Sequence, residues 1–147
     1  MNYLISPLLK DEEIQIFKKK LEENNEYWED GRKTAGSYAA KVKNNLQLNR
    51  NSDVSQNLSK LIINKILSNP LIKSFSLPKK IHGIMFSKSS EGMKYGRHID
   101  NAFMPSGRAD LSFTIFFNEK ESYKGGELII ENINSENKFK LNSGEII

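Results

Sequence analysis

Apolar residues recur at helical spacing in two stretches of the N-terminal half of the chain. The first stretch opens with three acidic residues, which suit the N-terminal end of a helix dipole, and runs to about Asn24. Its apolar stripe consists of Ile14, Phe17 and Leu21. Ser52 is a good N-cap for the second helix, which Asn69-Pro70 ends before a further turn over 71–75. The second stripe consists of Val54, Leu58, Leu61, Ile62 and Ile66.

From Pro78 onwards the pattern changes to short β-branched and aromatic runs separated by turn residues, which is typical of strands. We predict strands over 80–87, 95–101, 109–118, 127–131 and 138–141, an edge strand over 2–5 that Ser6-Pro7 stops, and a strand over 38–48. Turns are expected at Gly92, Pro105-Ser106-Gly107, Gly125-Gly126 and Asn142-Ser143-Gly144. Helices followed by a β-rich half predict an α+β fold, mainly β, with the helices bracing one side of a curled antiparallel sheet.

Alternation within the predicted strand 109–118 separates two faces. One face is entirely apolar and is expected to meet the helices; it comprises Leu111, Phe113, Ile115 and Phe117. The other face carries hydroxyl groups and is expected to line a pocket; it comprises Asp110, Ser112, Thr114 and Phe116.

The 147 residues are enough for one domain with its own core, in which 1–78 form a helical support region and 79–147 the β portion. No apolar run approaches the ~18 residues of a membrane span, and the N-terminus does not resemble a secretory signal. The absence of cysteine excludes disulfides and thiolate metal sites and favours a cytoplasmic location. The net charge of +4 comes from scattered lysines without a nucleic-acid-reading motif, so nucleic acid is not an expected partner.

The chemistry-bearing stretch is Tyr95-Gly-Arg-His-Ile-Asp100. On a strand, residues i and i+2 share a face, so His98 and Asp100 would project side by side. An imidazole and a carboxylate are two of the three ligands of the 2-His-1-carboxylate site that holds Fe(II). Three residues recur by chance, so for the pair taken alone an ordinary strand surface is the better interpretation. The only other histidine is His82, which we interpret as an ordinary strand residue.

Three ordered motifs flank and follow this pair: Tyr95-Gly-Arg-His98-Ile-Asp100-Asn101-Ala, Arg108-x-Asp110-Leu-Ser112-x-Thr114, and Tyr123-x-Gly125-Gly126-Glu127-Leu128. Two N-terminal stretches accompany them: Trp28-x-Asp30-Gly31-Arg32 with Thr34-Ala-Gly36, and Val42-Lys43-Asn44-Asn45. In these motifs, over nearly its whole length, the chain resembles the PKHD-type hydroxylases. These are close relatives of the prolyl 4-hydroxylase catalytic domain, within the Fe(II)/2-oxoglutarate dioxygenases.

The resemblance implies that His98 and Asp100 are iron ligands, and that Ser112 and Leu128 lie where relatives contact or pack against 2-oxoglutarate. It implies a double-stranded β-helix (jelly-roll, cupin-like) core, with Fe(II), 2-oxoglutarate and O₂ required and ascorbate a candidate further cofactor. The activity implied is hydroxylation of a prolyl or other side chain of a peptide or protein, with release of succinate and CO₂. A small-molecule substrate is the alternative.

The chain departs from the family pattern in three respects. The second histidine ligand and the basic residue that grips 2-oxoglutarate would both fall after Ile147, and His82 cannot replace that ligand because His82 precedes the His-x-Asp pair. Ser89 stands where family members often carry tyrosine. We therefore interpret the chain as truncated within its β-helix and expect the fragment alone to be inactive and poorly stable. A non-catalytic β-helix domain that binds a partner is the rival hypothesis.

For several residues the sequence leaves two roles open. Arg108 either meets substrate or closes a loop against Asp110, and Ser112 is either a cosubstrate contact or a plain strand residue. Leu128 is expected in the core as well as in a pocket wall, and Trp28 in packing. For 43–45, lining of the substrate entrance is one option.

Overall fold

The computed structural model describes residues 3–104 and 106–147. Its α-helices are α1 (Asp11–Glu22), α2 (Asp53–Ser68) and α3 (Pro70–Ser76). Its strands are β1 (Ser6–Pro7), β2 (Trp28–Asp30), β3 (Lys43–Asn44), β4 (Leu46–Leu48), β5 (Ser87–Lys88), β6 (Lys94–Tyr95), β7 (Phe103–Met104), β8 (Gly107–Arg108), β9 (Leu128–Asn132), β10 (Ser135–Phe139) and β11 (Glu145–Ile146). None of the described helices is long and apolar enough to cross a membrane.

All strand pairs are antiparallel and the sheets are small. β2, β4 and β5 form a three-stranded sheet, while β1 pairs with β11, β3 with β6, β7 with β8, and β9 with β10. The predicted α+β class is therefore confirmed at the level of helices combined with small antiparallel sheets.

The helix starts predicted at the acidic run from Asp11 and at Ser52 are confirmed, and Asn69, predicted only to end α2, also caps α3. The Ser52 hydroxyl accepts a hydrogen bond from the Ser55 amide at 3.3 Å, and Asn69 Oδ1 accepts one from the Ile72 amide at 3.1 Å. These side chains satisfy amide groups that have no partner within the first helical turn. α3 is the predicted further turn after Asn69-Pro70.

The main core lies between the helices and the strands around β4 and β11. Its buried members are Leu9, Ile14, Phe17, Leu48, Leu58, Ile62, Ile66, Ile72, Phe86 and Ile146. The prediction for Leu61 is wrong, because this side chain remains 47% exposed. Position 61 lies about 100° around the helix from the fully buried Ile62, at the edge of the stripe and towards solvent.

Most of the predicted strand bounds are wrong. The N-terminal strand is Ser6–Pro7 itself and not 2–5, of which Asn2 lies outside the described residues. The predicted strand over 38–48 begins as a 3₁₀ turn over Ala39–Val42. Of the predicted strand over 80–87 only Ser87 lies in a strand, and of that over 95–101 only Tyr95 does. An alternating pattern indicates extended backbone, whereas a strand also requires a partner at hydrogen-bonding distance, and in the described part of the chain most partners meet over two or three residues.

The segment 109–118 is not a continuous strand. Its Ala109 amide donates to Ala102 O at 2.9 Å, and its backbone pairs with 145–147 through residues 114–116. The Thr114 amide donates to Ile147 O at 2.9 Å, and Ile115 bridges Ile146. Ile115 and Phe117 pack against the core as predicted, but Leu111 and Phe113 are exposed. The expected apolar face is therefore buried only in its C-terminal half, where the pairing with 145–147 draws it towards α1.

The glycine turns are confirmed, with positive φ at Gly92, Gly125, Gly126 and Gly144. Gly144 joins the two ends of the described chain, because its carbonyl accepts hydrogen bonds from the Leu8 and Leu9 amides at 3.0 and 3.1 Å. A Cβ at this position would lie 2.3 Å from Leu9 O. The predicted turn over 105–107 includes Pro105, which lies outside the described residues.

Candidate metal centre

His98 lies on an extended loop just after β6 and not on a strand. Its ring is anchored through Nδ1, which donates to the carbonyl oxygen of Gly96 at 2.8 Å. A carbonyl oxygen can only accept, so Nδ1 carries the proton. In the neutral imidazole, Nε2 is then the atom with a free lone pair, which is the atom that a metal would bind.

Asp100 faces this lone pair. Its Oδ1 lies 3.3 Å from His98 Nε2. Two acceptor atoms at this separation repel each other unless a proton or another cation lies between them. Two ligands bonded at about 2.1 Å and at right angles to each other lie roughly 3 Å apart, so the donor set and its spacing fit two adjacent positions on a divalent metal. The predicted juxtaposition of His98 and Asp100 is present, although a loop provides it.

Ser112 holds the second carboxylate oxygen. Its hydroxyl donates to Asp100 Oδ2 at 2.6 Å, which leaves Oδ1 directed towards His98. The side chain of Asp100 is 66% exposed, whereas that of His98 is only 25% exposed. The pair is thus walled on the imidazole side and open on the carboxylate side.

The structure brings three of the four predicted site residues together and leaves the fourth apart from these contacts. Leu128 is half-buried at the start of β9, where its partner across the hairpin is Phe139. Among residues 3–104 and 106–147, no group of three or more His, Cys, Asp and Glu side chains could hold a metal ion. His98 and Asp100 are therefore two ligands without a third in this part of the chain.

Tyr95 and Lys43 belong to the same cluster; both stand in motifs quoted above, but the sequence did not predict their contact with His98. The Tyr95 ring stacks on the His98 imidazole with centroids 3.7 Å apart and planes 9° from parallel. Lys43 Nζ lies 4.7 Å from the Tyr95 ring centroid. Tyr95 stands within the motif three residues before His98, which was the available signal. Lys43 stands in the motif Val42-Lys43-Asn44-Asn45, but its burial was not predicted, since lysine is almost never fully buried.

Burial shifts the pKa values of both residues. It lowers the pKa of Lys43, and the nearby Arg50 charge adds to this effect. Burial raises the pKa of the Tyr95 phenol, and the Asp100 carboxylate raises it further. Both shifts reflect a lysine and a tyrosine that are partly removed from water beside the candidate site.

The two N-terminal motifs, 28–36 and 42–45, form a packed support for Lys43. Gly31 N donates to Asn45 O at 2.9 Å, and a Cβ on Gly31 would lie 2.0 Å from the buried Asn45 Oδ1. Thr34 accepts a hydrogen bond from Lys43 Nζ at 3.1 Å. Lys43 and Asn45 are buried, so they do not line an open entrance, while Asn44 is exposed.

Four further side chains discussed in the sequence analysis, Arg97, Arg108, His82 and Trp28, contact partners other than His98 and Asp100. Arg97 forms an ion pair with Glu131, and Arg108 donates to Asp110 at 2.5 Å, which is the loop-closing alternative. His82 Nδ1 lies 2.7 Å from Ser106 Oγ, so this second histidine is held by the β7–β8 hairpin. Trp28 packs against the core and donates from Nε1 to Leu21 O at 3.2 Å, as expected for a packing residue.

Comparison with known proteins gave the following relatives. A PKHD-type hydroxylase of Prochlorococcus marinus (strain AS9601) is 67% identical over 147 residues, which is 100% of this chain and 66% of the relative. Those of strains MIT 9301 and MIT 9313 are 66% and 50% identical, again over the whole chain, which covers 67% and 66% of their lengths. The chain thus spans about two thirds of the length of these relatives. No protein-family model matches the chain.

Proposed function

The chain belongs to the PKHD-type hydroxylase family, and from this premise we propose that it carries the His-x-Asp half of an Fe(II) centre in a 2-oxoglutarate-dependent hydroxylase. The observation that carries the proposal is the 3.3 Å approach of His98 Nε2 to Asp100 Oδ1, with Nδ1 tied to Gly96 O. This arrangement presents two donors of the type that Fe(II) accepts. A third donor would have to come from outside residues 3–104 and 106–147.

Each residue in the cluster has a distinct task in this proposal. His98 supplies a neutral nitrogen whose free lone pair is fixed by the hydrogen bond of the opposite ring nitrogen. Asp100 supplies a negative oxygen, and Ser112 orients the carboxylate through its other oxygen. When bound, Fe(II) with 2-oxoglutarate and O₂ would supply the oxidising chemistry that yields succinate, CO₂ and a hydroxylated product.

We further propose that Ser112 and Leu128 contact 2-oxoglutarate. Ser112 is close enough to Asp100 for a cosubstrate bound at the metal to reach its hydroxyl. Leu128 would supply an apolar wall from the start of β9. The small antiparallel sheets are proposed to belong to a double-stranded β-helix, a fold in which metal sites lie inside the barrel mouth; family membership is the support for this topology.

The proposed substrate is a prolyl or other side chain of a peptide or protein, and a small molecule is the alternative. The exposed side of Asp100 leaves room for a substrate to approach the metal. Ascorbate, as a reductant, and a cytoplasmic location belong to the same proposal. The loops around the site, more than the fold, would select the substrate.

The experiment that tests the metal centre compares the two histidines of the chain. Mn²⁺, a paramagnetic substitute for Fe(II), should broaden the imidazole proton signals of His98 more strongly, and at lower Mn²⁺ concentration, than those of His82, whose two ring nitrogens lie against Ser106 Oγ and Arg108 O. His98→Ala and Asp100→Ala should each abolish saturable Mn²⁺ binding, while His82→Ala, the matched control, should retain it. Equal broadening of both histidines, or unchanged binding in His98→Ala, would contradict the proposal.

One observation favours a second candidate function. Because only two of the three expected ligands lie in the described part of the chain, the same cluster could serve a non-catalytic domain that binds a partner. The two functions differ in turnover. Release of succinate from 2-oxoglutarate that depends on His98, by this chain or by a longer form of it, supports the enzyme; metal binding without any turnover in both forms supports the binding domain.

A further inference from the structure

The Tyr95 ring lies between an imidazole and an ammonium group. His98 covers one face in a parallel stack, with 3.7 Å between the ring centroids. A ring stacked at this distance fills that face, so Lys43 Nζ, which lies over the ring at 4.7 Å, occupies the opposite face. A cation over a tyrosine ring is attracted to the negative face of the ring. Tyr95 is thus fixed in the direction perpendicular to its ring plane.

Lys43 is itself immobilised. Its backbone pairs directly with that of Tyr95 between β3 and β6. Its side chain is buried, with the residue only 3% exposed, and its Nζ donates to Thr34 Oγ1 at 3.1 Å. Gly96, the residue after Tyr95, donates from its amide to Val42 O at 2.8 Å, and its carbonyl oxygen accepts the hydrogen bond from His98 Nδ1. Strand pairing and side-chain contacts therefore both fix the position of Tyr95 relative to Lys43.

The hydrogen bond to Gly96 O leaves one motion of the imidazole unrestrained. A single hydrogen bond at Nδ1 selects which nitrogen is protonated but allows the ring to swing about the donor–acceptor line. Such a swing would carry Nε2 away from Asp100 Oδ1. A parallel ring at 3.7 Å opposes the swing, because tilting the imidazole would bring its edge into the phenol ring. The hydrogen bond to Gly96 O thus selects Nε2 as the nitrogen with the free lone pair, and the stack on Tyr95 sets the plane of the ring.

We propose that Tyr95, backed by the buried Lys43, is a positioning residue that sets the plane of the His98 imidazole and so aims Nε2 at the metal position. This inference rests on the proposed function, in which His98 is a metal ligand. The contacts of the stack are made by the ring of Tyr95 and not by its hydroxyl. Phenylalanine should therefore replace Tyr95 without loss, whereas an aliphatic residue should not.

The first measurement needs neither a metal nor a variant. In the unmodified protein, the ring current of Tyr95 should place the carbon-bound imidazole protons of His98 upfield of those of His82. Tyr95→Phe should keep the upfield positions, and Tyr95→Leu should shift the His98 protons downfield. His98 signals in the unmodified protein at the positions of an unstacked imidazole would overturn the proposal.

The second measurement is the Mn²⁺ affinity of the same proteins. Tyr95→Leu should weaken binding by about tenfold or more, the usual effect of removing a group that orients a ligand. Tyr95→Phe should keep the affinity of the unmodified protein. Tyr38→Leu, the same type of substitution at a tyrosine that is 72% exposed, should also keep it.

Two results for the variants would overturn the inference: unchanged affinity in Tyr95→Leu, or an equal loss in Tyr95→Phe, which would assign the effect to the hydroxyl. Absence of Mn²⁺ binding at His98 in the unmodified protein would instead overturn the proposed function. The metal-free proton shifts would then still decide whether the stack exists, so the two failures are distinguishable.

Discussion

His98 is held by two contacts, a hydrogen bond from Nδ1 and a stacked ring, and its Nε2 faces the Asp100 carboxylate. The hydrogen bond sets the tautomer of the imidazole, and the stacked ring sets its plane. Asp100 is more exposed and relies mainly on one strong bond from Ser112. A charge-assisted O–H···O bond of 2.6 Å is short and directional. Ser112 is therefore the side chain on which the orientation of the carboxylate depends.

Removal of this hydroxyl should weaken metal binding. In Ser112→Ala, Asp100 loses its orienting donor, and we expect Mn²⁺ affinity to fall about tenfold. Ser112→Thr, which keeps the hydroxyl, is the matched control and should retain the affinity. Titration of the imidazole signals of His98 with Mn²⁺ provides the measurement. If Ser112→Ala leaves the affinity for Mn²⁺ unchanged and alters only the KM for 2-oxoglutarate in an active form, the hydroxyl acts on cosubstrate and not on Asp100.

The elements closest to the site are short, and one stretch of backbone connects them to the helical core. α2 carries the most buried stripe, and Phe17 of α1 packs against Phe117 with ring centroids 5.6 Å apart and planes tilted by 47°. Phe117 follows the segment that contains Ser112, so the helical core and the candidate site are connected through one stretch of backbone. Strands of two residues offer few hydrogen bonds of their own, and loss of this core should release them.

Two neighbouring positions on α2, one buried and one exposed, test how much the core contributes to stability. Ile62 is fully buried, and Ile62→Ala should lower the free energy of unfolding by about 2–5 kcal/mol through lost burial and a cavity. Leu61 is 47% exposed, and Leu61→Ala should cost less than about 1 kcal/mol. Urea unfolding of both variants and the unmodified chain supplies the comparison. Equal losses at the two positions would show that the exposed face of α2 is packed in solution.

At the scale of the whole molecule, 147 residues correspond to 66% of the length of the Prochlorococcus marinus AS9601 relative. The described residues contain a helical layer, several small antiparallel sheets and two candidate ligands. Leu111 and Phe113 are exposed on the segment that carries Ser112. Exposed apolar side chains of this kind, next to a site open on one side, are surfaces that further chain or a substrate could cover.

We predict that the 147-residue chain by itself binds divalent metal weakly and does not release succinate from 2-oxoglutarate. Two protein donors hold a metal less firmly than three, and the open side of Asp100 leaves the position accessible to water. The assay measures succinate in the presence of Fe(II), O₂ and ascorbate. The same assay on the longer AS9601 relative provides the comparison. Steady succinate formation by the 147-residue chain, lost in His98→Ala, would refute this prediction.

Local rules predicted the features that depend on one or two turns of chain. Ser52 caps α2 and Asn69-Pro70 follows its end as expected, and glycines occupy the positive-φ turns. Strand bounds failed, because pairing depends on a partner distant in sequence: Lys43 meets Tyr95 and Ile115 meets Ile146. The prediction that Leu61 is buried was wrong for a related reason, since the edge of an amphipathic stripe is buried only where a neighbouring element covers it.

For the candidate site, the sequence by itself determined the identity of the pair His98 and Asp100, because two residues in a three-residue motif are near each other in any extended backbone. Only the tertiary structure decided how that pair is oriented. The stack of Tyr95 on His98, the buried Lys43 behind it and the bond from Ser112 to Asp100 each join segments that are separate along the chain or folded back on each other. Such contacts depend on the packing of the whole domain, and no local pattern encodes them.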